Sequence, residues 1–115
     1  MVKIFTHPSV DDFNIDTVLS ALSDSARRNM LFRMMDCKGM NCTEACEDKL
    51  PPSTISFHTR ILREAGLIRS EKKGVSVISV ARKADIDKRF PGLIDAIFKN
   101  HLLEEKKKKK TKASK

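Results

Sequence analysis

Tryptophan and tyrosine are absent from the 115 residues, and six phenylalanines are the whole aromatic complement. With 40% apolar content spread over one domain's length, the core is modest, and pairing of two copies is a natural way to complete burial. No apolar run approaches the roughly 18 residues that span a membrane. The opening Met1-Val-Lys-Ile-Phe-Thr-His-Pro8 lacks the long apolar stretch of a signal peptide. A cytoplasmic protein without membrane contact is therefore expected. There is no Gly-rich phosphate loop, no His-Glu metal pair, and no Ser or Cys nucleophile beside an orientable base. An enzyme is not expected, nor a cofactor. Cys37, Cys42 and Cys46 are an odd set in a chain without a secretory signal, and they are expected to be reduced thiols.

What is present in excess is positive charge, +8 overall. Most of it is local. Residues 104–115 hold seven lysines and two glutamates, a net +5, which leaves +3 for residues 1–103. So polar a segment is expected to be a flexible tail. It can attract phosphate backbones in a salt-dependent way, or simply keep the chain in solution.

The informative stretch is Leu50-Pro-Pro-Ser-Thr-Ile-Ser-Phe-His-Thr-Arg-Ile-Leu-Arg-Glu-Ala-Gly-Leu-Ile-Arg69. The Pro pair ends one element, and the Ser53 hydroxyl is placed to cap a helix over 53–65. Ile55, Thr59 and Leu62 recur at helical spacing with His58 beside them, a stripe that can bury. Ser53, Thr54, Ser56, Phe57 and Arg60 fall on the remaining surface. Small hydroxyl donors near a helix N-terminus, followed by a guanidinium, suit phosphates and base edges. His58 can pack or meet a phosphate and is counted with them. Gly66 supplies a left-handed stop. A strand from Leu67, a turn at Lys72-Lys73-Gly74 and a second strand over Val75–Val80 then make a basic-tipped hairpin. Helix followed by hairpin is the outline of a winged helix-turn-helix, with Arg69, Lys72 and Lys73 as wing contacts to double-stranded DNA. The competing class is a winged-helix protein-interaction module, which a face without basic residues would favour.

Taken in order, residues 1–10 are an irregular arm, 11–103 the folded domain, and 104–115 the tail. A helix over about 12–22 carries Ile15, Val18, Leu19 and Leu22 on one stripe. Asp24 caps a second helix from Ser25 to about Cys37, headed by Arg27, whose stem packs along the core with its charged end near the surface. A short helix over about 43–50 precedes the Pro turn and completes the helix-turn-helix. One helical turn over 84–88 leads to a last helix with Pro91 in its first turn, ending near Leu103. Its wide face of Leu93, Ile94, Ile97, Phe98 and Leu102, together with Ile15, Val18, Leu19 and Leu22, is the expected dimer surface. The alternative is that it only closes the monomer core. The fold class is thus mainly α with a small β-hairpin, a homodimer through first and last helices.

The span Val18–Val80 resembles the ArsR (arsenical-resistance-repressor) family of winged helix-turn-helix regulators. Leu22-Ser-Asp-Ser-Ala-Arg-Arg28 is similar to that family's L-A-D-P-x-R opening of the second helix. Ser53-Thr-Ile-Ser-Phe-His58 matches its hydroxyl-rich recognition helix, and Leu62-Arg-Glu-Ala-Gly-Leu-Ile68 its L-x-x-A-G-L-V. His7-Pro8 and Phe90-Pro-Gly-Leu93 look like a branch without an obvious metal site. The resemblance implies a homodimeric transcriptional regulator, usually a repressor, on an inverted-repeat operator. There are departures: Ser25 stands where the family has Pro, Thr59 where a larger apolar residue is usual, Phe57 where a polar one is commoner, and Val75 where Arg or Lys often follows the wing glycine. Cys42 and Cys46 lie one helical turn apart and could share a soft metal with Cys37 or respond to oxidation, but the tight Cys-x-Cys pair of arsenic- and cadmium-sensing relatives is absent. The other reading of these thiols is plain packing.

Overall fold

Short polar side chains set the first two helices. In the computed structural model, which describes residues 7–36, 40–41 and 50–113, Asn14 Oδ1 accepts from the N–H groups of Asp16 at 2.8 Å and Thr17 at 3.2 Å. Helix α1 follows as Ile15–Ala21. It begins later than expected because Val10–Asp12 forms a separate 3-10 turn. Asp24 Oδ1 accepts from Ala26 N at 2.8 Å and Arg27 N at 3.2 Å, starting α2, Ser25–Asp36. An N-cap carboxylate thus does what a proline at position 25 would otherwise help to do.

The next described helix, α3, is Pro52–Glu64. Its start corrects the expected Ser53 cap. Pro51 is the N-cap and gives no side-chain bond, while Pro52 sits in the first turn, where a missing N–H costs nothing. At the other end Gly66 has φ +86°. Gly66 N–H bonds Arg63 O and Leu67 N–H bonds Leu62 O, both at 3.0 Å, and Leu62 and Leu67 are fully buried. This is a Schellman ending, with its apolar pair on either side of the glycine.

Strand β1 is Met40–Asn41, β2 is Ile68–Lys73 and β3 is Ser76–Ala81, antiparallel in the order β1-β3-β2. The β2–β3 register runs from Ile68↔Ala81 to Lys73↔Ser76, so the turn is Gly74-Val75. Lys72 and Lys73 belong to the strand, correcting the expected turn. Gly74 has φ +63° and, among the described residues, no other residue type has positive φ. That combination defines a type II′ hairpin. The third strand, β1, was not foreseen. Helix α4 is Lys83–Arg89 and α5 is Leu93–Ala113. Pro91 lies in the turn before α5, not inside it, and Gly92 O accepts from Ala96 N at 3.1 Å. Helix α5 continues past Leu103 through the segment expected to be a flexible tail. Lys and Glu are good helix formers, and extending an existing helix avoids the nucleation cost. The expected helix over 43–50, and the three cysteines, lie outside the described residues.

The core gathers Val18 and Leu22, then Met30, Leu31 and Met34 of α2, Ile55 and Leu62 of α3, and Ile86 and Ile94 from the last two helices. Phe32, off the expected stripe, is buried too and meets Phe98 of α5 edge-on at 4.5 Å between ring centroids. The Phe13 ring lies against Gly66 so closely that a Cβ there would come within 2.3 Å of it. Above that ring stands the buried guanidinium of Arg82, 5.0 Å from its centroid, bonded to Pro8 O at 2.8 Å and Asp85 at 3.0 Å.

Gly66→Ala is expected to destabilise the fold by about 3 kcal/mol, combining a left-handed backbone with an overpacked contact. Gly74→Ala, with open space around it, should cost only about 1 kcal/mol. Urea midpoints of the two variants test this, and equal losses would refute the role given to Phe13.

Candidate nucleic-acid interface

Helix α3 has two faces, and packing determines which residues lie on each. Ile55, His58, Thr59 and Leu62 are buried. Ser53, Ser56, Phe57, Arg60 and Glu64 are exposed, and Thr54 is half-buried. Thr59, small for its place, compensates by turning its hydroxyl onto Ile55 O at 2.8 Å, which satisfies the only polar atom it brings inside. His58 corrects the expectation that it faces DNA. It is buried, and its Nδ1 takes a hydrogen bond from Arg27 at 3.1 Å. A guanidinium can only donate, so Nδ1 accepts and the imidazole proton belongs on Nε2.

Arg27 is half-buried, as expected of a packed stem with its charged end near the surface, and that end also links elements of the fold. Its Nε donates to Ala21 O at 2.6 Å, meeting the exposed carbonyls at the end of α1 while the other side of the head holds α3. Arg28 repeats the arrangement toward the last helix. It donates to Leu22 O at 2.8 Å and to His101 Nδ1 at 3.0 Å, and His101 Nε2 then meets Asn29 Oδ1 at 2.8 Å. Consecutive arginines on α2 therefore position α3 and α5. Neither contact was legible in the sequence, since His101 lies 73 positions from Arg28.

Arg60 is exposed and bonded to Glu64 at 2.9 Å, which holds its guanidinium firmly protonated and draws it toward the C-terminal end of α3. The i,i+4 spacing could have revealed this pair. On the wing, Arg69, Glu71 and Lys73 alternate with Ile68, Ser70 and Lys72 along β2. Lys72 and Lys73 are both exposed but project to opposite faces, so they do not act as one patch. Ser70 and Ser79 form a buried hydroxyl pair at 2.9 Å across the hairpin.

The outer edge of β2 is closed by His7, whose Nε2 accepts from Ser70 N at 3.0 Å. Burial and the charges of Arg69, Arg82 and Arg63 lower the His7 pKa, against a weaker opposing effect of Glu71. Of the residues expected at a dimer surface, Val18, Leu22 and Ile94 are instead spent on the chain's own core. Leu93, Ile97 and Phe98 are partly buried against it. Ile15 and Leu19 stay exposed, joined by Leu102 and Leu103. Between α1 and α5 runs an open groove of about 400 Å³ lined in part by Leu19, Ile97 and His101. Among the described residues, no three His, Cys, Asp or Glu side chains come together as a metal site, and no helix is long and apolar enough to cross a membrane.

A three-stranded antiparallel sheet with a II′ wing, following a helix with a polar outer face, defines a winged helix. No protein-family model matches the chain, and no curated protein matches it. Among solved structures it is similar to an ArsR-like transcriptional regulator from Rhodococcus sp. RHA1, at 25% identity and a TM-score of 0.57, over 81% of this chain and 90% of that one. The chain thus has a winged-helix fold similar to that of an ArsR-like transcriptional regulator.

Because the folded pKa of His7 lies below the unfolded one, the unfolded chain binds more protons across that interval, and stability rises with pH there. The His7 contribution should be intact above about pH 6.5 and be lost progressively as pH falls below it. Urea midpoints at pH 7.5 and 5.5 should differ more for the wild type than for His7→Gln; equal differences would remove His7 as the cause.

Proposed function

We propose that the chain is a DNA-binding transcriptional regulator, acting in the cytoplasm as a homodimer and repressing from an inverted-repeat operator. The observation that carries this is the outward row of α3, Ser53, Ser56, Phe57 and Arg60, next in sequence to a hairpin bearing Arg69, Lys72 and Lys73. The solved ArsR-like relative is named as a transcriptional regulator, which supports the same reading. Two copies would pair through α1 and α5 and set their α3 helices in successive major grooves, roughly 34 Å apart. Thr54 would add a hydroxyl at the helix start, and the wing residues would touch backbone. The lysines of 106–112 would add salt-dependent attraction to any phosphate chain.

The pairing rests on the apolar side chains left uncovered on α1 and α5. Leu19 of α1, 46% exposed, can be changed with little disturbance of the core. Leu19→Glu should shift the chain from dimer to monomer in sedimentation equilibrium without altering its far-ultraviolet circular dichroism; a variant that stays dimeric would exclude this surface.

The DNA reading is tested by fluorescence anisotropy with sequences selected from a random duplex library, against a shuffled duplex, in reductant at about 0.15 M salt. Specific DNA is expected to bind about a thousandfold tighter than the shuffled duplex. Arg60→Ala should weaken specific binding roughly tenfold or more while changing the shuffled control little. Equal losses on both would reduce Arg60 to a phosphate contact. If the wild type does not discriminate at all, an exposed Phe57 on a protein-interaction module becomes the better account.

A further inference from the structure

Phe57 is 58% exposed at the middle of the α3 outer row. Ser53 lies one turn before it, Ser56 beside it and Arg60 three residues on. The helix has an apolar face a few positions away, where Ile55 and Leu62 are buried, so the ring's exposure is a matter of register and not of a helix without a core. The ring lies beside the buried His58 ring, tilted at 54° with centroids 5.9 Å apart. Resting on the proposal that α3 enters a major groove, we infer that Phe57 selects a thymine by its C5-methyl group.

The reason is chemical. Every other group on this row can donate or accept a hydrogen bond, and so can answer to a phosphate or a base edge. The ring can do neither. Among the features that base pairs display in the major groove, the thymine methyl is the apolar one, and burying it against a ring removes two wetted apolar surfaces at once. Arg60 is drawn toward Glu64 and the C-terminal end of α3, leaving Phe57 the largest group on the N-terminal half of the row. Insertion between base steps is the other use of an exposed apolar side chain on DNA, but wedges of that kind work chiefly from the minor groove. Phe57 therefore contributes specificity where the hydroxyls contribute position.

The test uses the full chain. Duplexes enriched from the random library would be remade with deoxyuridine replacing each thymine in turn, which deletes the methyl and leaves every hydrogen-bonding group in place. One position per half-site should then lose affinity roughly fourfold, the worth of one buried methyl, at symmetric places in the two halves. Phe57→Ala should bind both duplexes alike at that position, while Phe57→Leu should keep part of the preference; unchanged circular dichroism and melting would confirm that each variant is folded. Enrichment of a sequence that is indifferent to uracil at every thymine overturns the Phe57 assignment alone, as does a penalty that survives in Phe57→Ala. No enrichment of any sequence overturns the DNA reading and this inference with it.

Discussion

The contact between the Phe13 ring and the bare Cα of Gly66 is the constraint on which the placing of α3 against the wing depends. Gly66 lies between the end of α3 and the start of β2, so the angle between helix and wing is set within residues 65–67. A left-handed glycine turns the chain, Leu62 and Leu67 bury on either side of it, and the ring fills the space where any side chain would have stood. Arg82 stacks on the same ring and ties down Pro8, while His7 closes the sheet edge at Ser70. One small junction thus joins the N-terminal arm, the end of α3 and the base of the wing.

A second set of contacts joins α1, α2, α3 and α5. The carbonyls that α1 leaves open at its end are taken up by Arg27 and Arg28, and each arginine uses its remaining donors on a histidine of another helix. A planar guanidinium can hold two partners in fixed directions, which an ammonium cannot. These part-buried polar contacts are thus made by residues that also set helix positions. His58 belongs to this set: it faces α2 because Arg27 is there, and the outward row of α3 loses an imidazole but keeps its hydroxyls, its phenyl ring and one paired guanidinium.

Much of the fold was readable from local chemistry. Asp24 as a cap, Gly66 as a stop, the burial of Ile55 and Leu62, and the hairpin after α3 follow from spacing and side-chain type, and the structure agrees with each. The cap at Ser53, the turn at Lys72–Gly74 and the start of the last helix at Pro91 are boundary misreadings, each shifted only slightly along the chain in the structure. Neighbouring residues there offer competing ways to begin or end an element. The Arg60–Glu64 pair was visible as an i,i+4 spacing, but whether such a pair closes depends on what else the side chains meet.

The sequence by itself determined the first three described helices and the hairpin after them, the outward hydroxyl-rich row and the basic wing, because helical and strand periodicity are written in residue order. Only the tertiary structure decided that His58 turns inward, that Val18, Leu22 and Ile94 close the chain's own core, and that β1 joins the hairpin. Those outcomes rest on contacts between residues far apart in the chain, such as Arg27 with His58 and Met40 with Ser79. Periodicity tells which side of an element is apolar, but what that side meets is fixed only when the elements pack.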